Sequence, residues 1–150
     1  MRRLRHLVVG SAAVVAALAV GDSGPVAADH GFRALGTFMN GAAEVPGPGD
    51  PDGVGAAGVL IHVNRGRICW AVAVKNIAPA TAAHIHVGTV KDAGPVVVPL
   101  DPPPTRGFSA NCATVDDEEL IKDIAHNPAN YYVNVHNAEF PAGAIRGQLG

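Results

Sequence analysis

Residues 57–76 read AGVLIHVNRGRICWAVAVKN, and they decide the fold. From Arg67 to Asn76, Ile68, Trp70, Val72 and Val74 alternate with Cys69, Ala71, Ala73 and Lys75. A strand sends successive side chains to opposite faces, so this period of two builds one strongly apolar face, with Trp70 expected in the core. Ala57 to Val63 precedes it, joined through Asn64-Arg65-Gly66, and the two arms read as a β-hairpin.

Similar segments recur outward from this hairpin. Phe32 to Met39 is a first strand ending at Asn40-Gly41, before a Gly- and Pro-rich loop from Pro46 to Gly55. Ala82 to Val87, Val96 to Leu100 and Phe108 to Val115 are further strands, with the stiff connector Pro102-Pro103-Pro104 between the last two. Tyr131 to His136 and Ala144 to Leu149 form a closing hairpin through Phe140-Pro141-Ala142-Gly143. One helix is expected. Asp116, with Glu119 three residues on, resembles a capping box, Leu120, Ile121 and Ile124 supply an apolar stripe, and Pro128 stops it. Capping accounts for the acidic run Asp116 to Glu119 without a cation site. With 18 Gly and 12 Pro in 150 residues, turns dominate. The expected fold is an all-β, antiparallel β-sandwich, Greek-key, immunoglobulin-like or superoxide-dismutase-like, with one short helix.

Residues 1–28 read as a signal peptide: Arg2, Arg3 and Arg5 precede the apolar run from Leu7 to Val20, and Val26-Ala27-Ala28 marks the cut. The run is shorter than the roughly 20 residues that span a bilayer, so no membrane span is expected after its removal. Gly21-Asp22-Ser23-Gly24 resembles the nucleophile segment of trypsin-like proteases but falls within this leader. Residues 29–150 then form one domain, with eight Lys+Arg and twelve Asp+Glu, a net charge of −4 against −2 for the whole chain. Such a surface is no partner for nucleic acid. The expected setting is secreted or cell-envelope, in a bacterial source, with an extracellular protein or envelope component as partner.

Cys69 and Cys112 are the two cysteines, and an exported chain meets oxidising conditions. A disulfide is favoured over a thiolate ligand or nucleophile, which would require both to stay reduced. His84 and His86, two apart on a strand, leave the same face, and Tyr132, Asn134 and His136 share a face of another strand. If those strands are neighbours, His84, His86 and His136 converge on a site suited to Cu(II) or Zn(II), copper favoured. The competing reading gives these histidines only structural hydrogen bonds. His62 is expected at the surface and His30 beside the new N-terminus. No Cys-His-Met cluster of a blue-copper protein is present, since the last methionine is Met39. Asp50, Asp52 and Gly53 form a turn rather than a calcium loop.

Several ordered motifs together are similar to one family. Glu44-Val45-Pro46, then Ala83-His84-Ile85-His86-Val87-Gly88, Gly94-Pro95-Val96-Val97-Val98, Tyr131-Tyr132-Val133-Asn134-Val135-His136 and Gly143-Ala144-Ile145-Arg146-Gly147-Gln148-Leu149 resemble the CHRD (chordin) domain, from about Ala34 to Leu149. The resemblance implies a β-rich, non-enzymatic extracellular module and marks Glu44, His84, His86, Asn134, His136 and Arg146 as motif residues. Bacterial members are typically exported. Glu44 and Arg146 are expected to form an ion pair between the first and last strands. No catalytic residue is expected. The alternatives are a superoxide-dismutase-like copper redox protein and a protein–protein interaction domain with structural histidines.

Overall fold

A computed structural model describes residues 31–103 and 107–150. The expectations for the leader, His30 and Pro104 lie outside these residues. In chain order the elements are β1 (Phe32–Asn40), β2 (Val54–His62), β3 (Arg67–Lys75), β4 (Ala80–Val87), β5 (Val96–Leu100), β6 (Phe108–Thr114), α1 (Glu118–His126), β7 (Tyr131–Asn137) and β8 (Ile145–Gln148). The alternating stretch is the β2–β3 hairpin, with Val59 opposite Trp70. Gly66 turns it at φ 56°, a left-handed conformation that costs glycine least.

Every strand pairing is antiparallel, and the strands form one sheet in the order β5-β4-β7-β8-β1-β2-β3-β6. Among the described residues, the all-β antiparallel class with one α-helix is as expected. Its two halves are hydrogen-bonded through β1, which pairs with both β2 and β8, and the sheet is nearly barrel-like. Its edges meet at one corner: Asp101, just past β5, accepts from Ser109 Oγ at 2.8 Å and Asn111 Nδ2 at 2.6 Å, both on β6.

A single core fills the interior. Ile61, Ile68, Val72, Ile85, Val133, Val135 and Ile145 are fully buried there, with Trp70 beside them as expected. Helix α1 adds Ile121 and Ile124, and the Tyr131 hydroxyl of β7 donates to Asp123 Oδ2 at 2.5 Å. The cap of this helix is one residue later than the capping-box reading. Asp117 accepts from the Leu120 amide at 3.0 Å, so Leu120, which has no carboxylate to return the bond, occupies the third helical position. No helix among the described residues is long and apolar enough to cross a membrane.

Cys69 and Cys112 lie directly opposite each other on β3 and β6 and form a disulfide. The bond spans 43 residues, and on chain-entropy grounds its loss costs about 3–4 kcal/mol. Urea unfolding of the Cys69→Ala/Cys112→Ala variant should show a drop of this size. A change below about 1 kcal/mol would mean that native strand pairing alone holds β6.

Candidate metal centre

The register of β4 against β7 builds the site. His84 is opposite Asn134, His86 opposite Tyr132 and Ala82 opposite His136, so both histidines of β4 and the polar set of β7 share one face. Across β7, Asn134 is also opposite Arg146 of β8. The other face of these strands carries Ile85, Val133, Val135 and Ile145 into the core. Between β4 and β5 the pairing slips at Ile85/His86, a bulge of the kind that re-aims a side chain.

The neighbour condition is met, and the three imidazoles converge. One nitrogen from each of His84, His86 and His136 lies within 4.8 Å of the others. His84 Nδ1 and His136 Nε2 are 3.1 Å apart. Nitrogens held about 2.0–2.1 Å from one tetrahedral ion stand roughly 3.3 Å apart, so the set needs only modest closure around a shared metal.

Two loop carbonyls select which nitrogens face inward. His86 Nδ1 is 2.8 Å from Gly94 O and His136 Nδ1 is 3.1 Å from Pro141 O. A carbonyl accepts only, so both rings donate from Nδ1 and turn the Nε2 lone pair inward. His86 Nε2 is buried there with no hydrogen-bond partner. Asn134 Oδ1 is 3.0 Å from His136 Nε2 and adds another acceptor to the same space. The lone pair of His86 Nε2, buried without a donor to satisfy it and facing the other two rings, is what a cation would use.

The electrostatics keep the rings neutral. Burial, then the neighbouring His136 and His86, hold His84 below the ordinary histidine range. Burial likewise lowers His86, outweighing its hydrogen bonds, and Arg146 lowers it further. His136 is lowered by burial and by His86, against the bond to Pro141. Neutral imidazoles with free lone pairs are the ligand form.

Arg146 holds the roof of this site. Its guanidinium is buried, lies 3.4 Å from the centre of the Tyr132 ring, and donates to Thr89 O at 2.6 Å and Asp92 O at 3.0 Å. Tyr132 stacks on His86 at 4.9 Å, and its hydroxyl accepts from the Gly94 amide at 3.2 Å. The β4–β5 loop is thus pinned over the polar face by Arg146 and by Tyr132, whose ring also stacks on His86. The sequence placed Tyr132 on this face without giving it a role, and nothing in a side-chain pattern marks the Gly94 and Pro141 carbonyls.

The expected Glu44–Arg146 ion pair does not form. Arg146 spends its donors on the loop carbonyls, while the Glu44 carboxylate packs against Gly143, where a side chain would collide with it. Glu44 Oε1 is buried and unpartnered. Burial, opposed by Arg146 and by the Val45 amide, pushes the Glu44 pKa from 4.5 up to about 7. The folded state therefore binds more protons than the unfolded chain between these values, and stability from this group falls as pH rises through that window. Glu44→Gln should gain stability relative to wild type between pH 5 and pH 8, by at most about 3 kcal/mol. Urea unfolding of metal-free protein at the two pH values tests this, and a wild-type-to-variant difference that does not change with pH would refute it.

His62 is half-buried beside Phe32, with ring centres 3.8 Å apart, and takes no part in the cluster. A cleft of about 420 Å³ beside Gly31, Asn64 and His126 likewise contains none of the three converging histidines. Comparison with curated proteins and with solved structures returns no match. A model of the CHRD domain matches residues 35–149, spanning every motif residue around the site. The chain belongs to the CHRD domain family.

Proposed function

We propose that this protein is an exported, non-enzymatic binding module whose His84, His86 and His136 hold copper. The observation that carries the reading is the buried, unpartnered Nε2 of His86 facing two further imidazoles. A neutral, nitrogen-dominated donor set disfavours calcium and magnesium, which take oxygen ligands, and such a set binds Cu(II) more tightly than Zn(II). His84, His86 and His136 would hold the ion, which supplies a Lewis-acidic and redox-capable centre when bound. The Gly94 and Pro141 carbonyls fix the orientations of the His86 and His136 rings. Export is supported by the leader-like N-terminus and by the Cys69–Cys112 disulfide, which suits an oxidising compartment.

Titration of the purified protein with Cu(II) and Zn(II), followed by metal analysis after dialysis, tests the reading. One equivalent of copper should be retained in preference to zinc. Copper at background level would sink it. One alternative has an observation of its own: the bonds from His86 and His136 to loop carbonyls would also buttress the fold without metal. In that case histidine substitutions lower stability and leave copper retention unchanged.

A further inference from the structure

The half of the sheet remote from the histidines presents an apolar outer face with no assigned role. Phe32, Phe38, Val54, Leu60 and Phe108 all lie on this face of β1, β2 and β6, with Phe38 87% exposed. The register orders it into rows across the strands. Phe38, Ala56, Ala73 and Phe108 are aligned, so a phenylalanine stands at each end with alanines between. The next row is Gly36, Gly58, Ala71 and Ala110, which have almost no side chain. Protruding rings thus stand beside a trough about 14 Å long, at about 4.8 Å per strand. A shallow depression of about 320 Å³ takes in Gly58 and Ala71 of the trough, and another of about 350 Å³ lies at Phe38, Ala56 and Ala73.

We propose that this face docks a second copy of the chain, in a two-fold arrangement where Phe38 of each copy seats in the trough of the other. Ridge and trough lie on one surface, which makes the face self-complementary, as an isologous interface requires. Between its two rows the face carries no charge, so two copies meet without repulsion there. Four strands of about nine residues cover roughly 20 by 30 Å, or about 1,200 Å² for two copies, the lower end for a specific interface. Other occupants fit less well. The backbone groups of β2 and β3 are committed to neighbours on both sides, and the two rows offer no polar side chain to a sugar or peptide. Arg67 and Lys75 are the basic residues these strands place on the face, too few for an anionic membrane.

The protein is expressed with residues 1–150, so that any processing takes place, and its mass is measured by light scattering and sedimentation velocity from about 1 to 200 µM. The expected result is a monomer–dimer equilibrium with a micromolar Kd. Phe38→Asp and Gly58→Lys should each weaken it about tenfold or more with an unchanged thermal melt. Gly58 tolerates a side chain because nothing lies within 4 Å of where its Cβ would stand. Val96→Asp, on β5 away from this face, should leave the equilibrium unchanged. The proposal falls if the protein is monomeric throughout, or if its dimer ignores both variants. It also falls if phosphatidylcholine–phosphatidylglycerol vesicles bind the face while the protein does not self-associate.

Discussion

His86→Ala should weaken copper binding by about a hundredfold or more, because it removes the one inward nitrogen that has no other partner. His84 and His136 face each other at 3.1 Å and retain a two-coordinate remnant, so residual weak binding is expected rather than none. Asn134→Ala should cost less, about tenfold, since it takes away an oxygen near the cluster and leaves all three rings. The measurement is competition against a chelator at fixed pH, paired with urea unfolding of the metal-free proteins. Truncating His86 also removes its bond to the Gly94 carbonyl, which keeps only the long 3.4 Å contact from the Tyr132 hydroxyl, and costs stability by about 1–2 kcal/mol with or without metal. The two readouts therefore separate ligation from buttressing: equal copper affinity in wild type and His86→Ala would leave only the structural role. Because all three histidines titrate below their ordinary range, affinity should hold as pH falls to about 6.5 and decline only below it.

Arg146→Ala should destabilise the protein by about 3–5 kcal/mol, the largest effect expected of any single substitution here. The side chain is almost fully buried, and its loss breaks two hydrogen bonds from a charged donor, worth roughly 1.5–3 kcal/mol each, along with the contact on Tyr132. Arg146→Lys should recover little, because one ammonium cannot reach both carbonyls and lie flat on the ring. Hydrogen exchange adds a spatial readout: amides of Gly88 and Asp92 should lose protection in the variant before those of β1 and β2. A loss below about 1 kcal/mol would show that the loop is held by other contacts.

The strands were legible because alternation and turn residues report the local backbone directly. Val96 to Leu100 matches β5, and Phe108 to Val115 overshoots β6 by one residue. The histidine triad was legible for the same reason, given one assumption about neighbours that the β4–β7 pairing satisfies. What escaped depends on distant contacts. Glu44 and Arg146 carry opposite charges and sit on connected segments, which suggested a pair, yet the guanidinium is drawn to a loop more than 50 residues earlier in the chain. Charge signs give no information about competing carbonyl acceptors. The helix cap was misplaced by one residue because Asp116 and Asp117 are equivalent candidates until the fold selects the helix phase.

The disulfide has a consequence for solubility. Strand β6 is an edge of the sheet, and Cys112 ties it to β3, whose inner face carries Ile68, Trp70 and Val72. Should β6 peel away, β3 would become a nine-residue edge with unpaired amides and carbonyls and an apolar inner face, a template for pairing with other chains. Reduction would then threaten the protein through aggregation at partial denaturation more than through lost folding energy, and the bond acts as a guard on that edge.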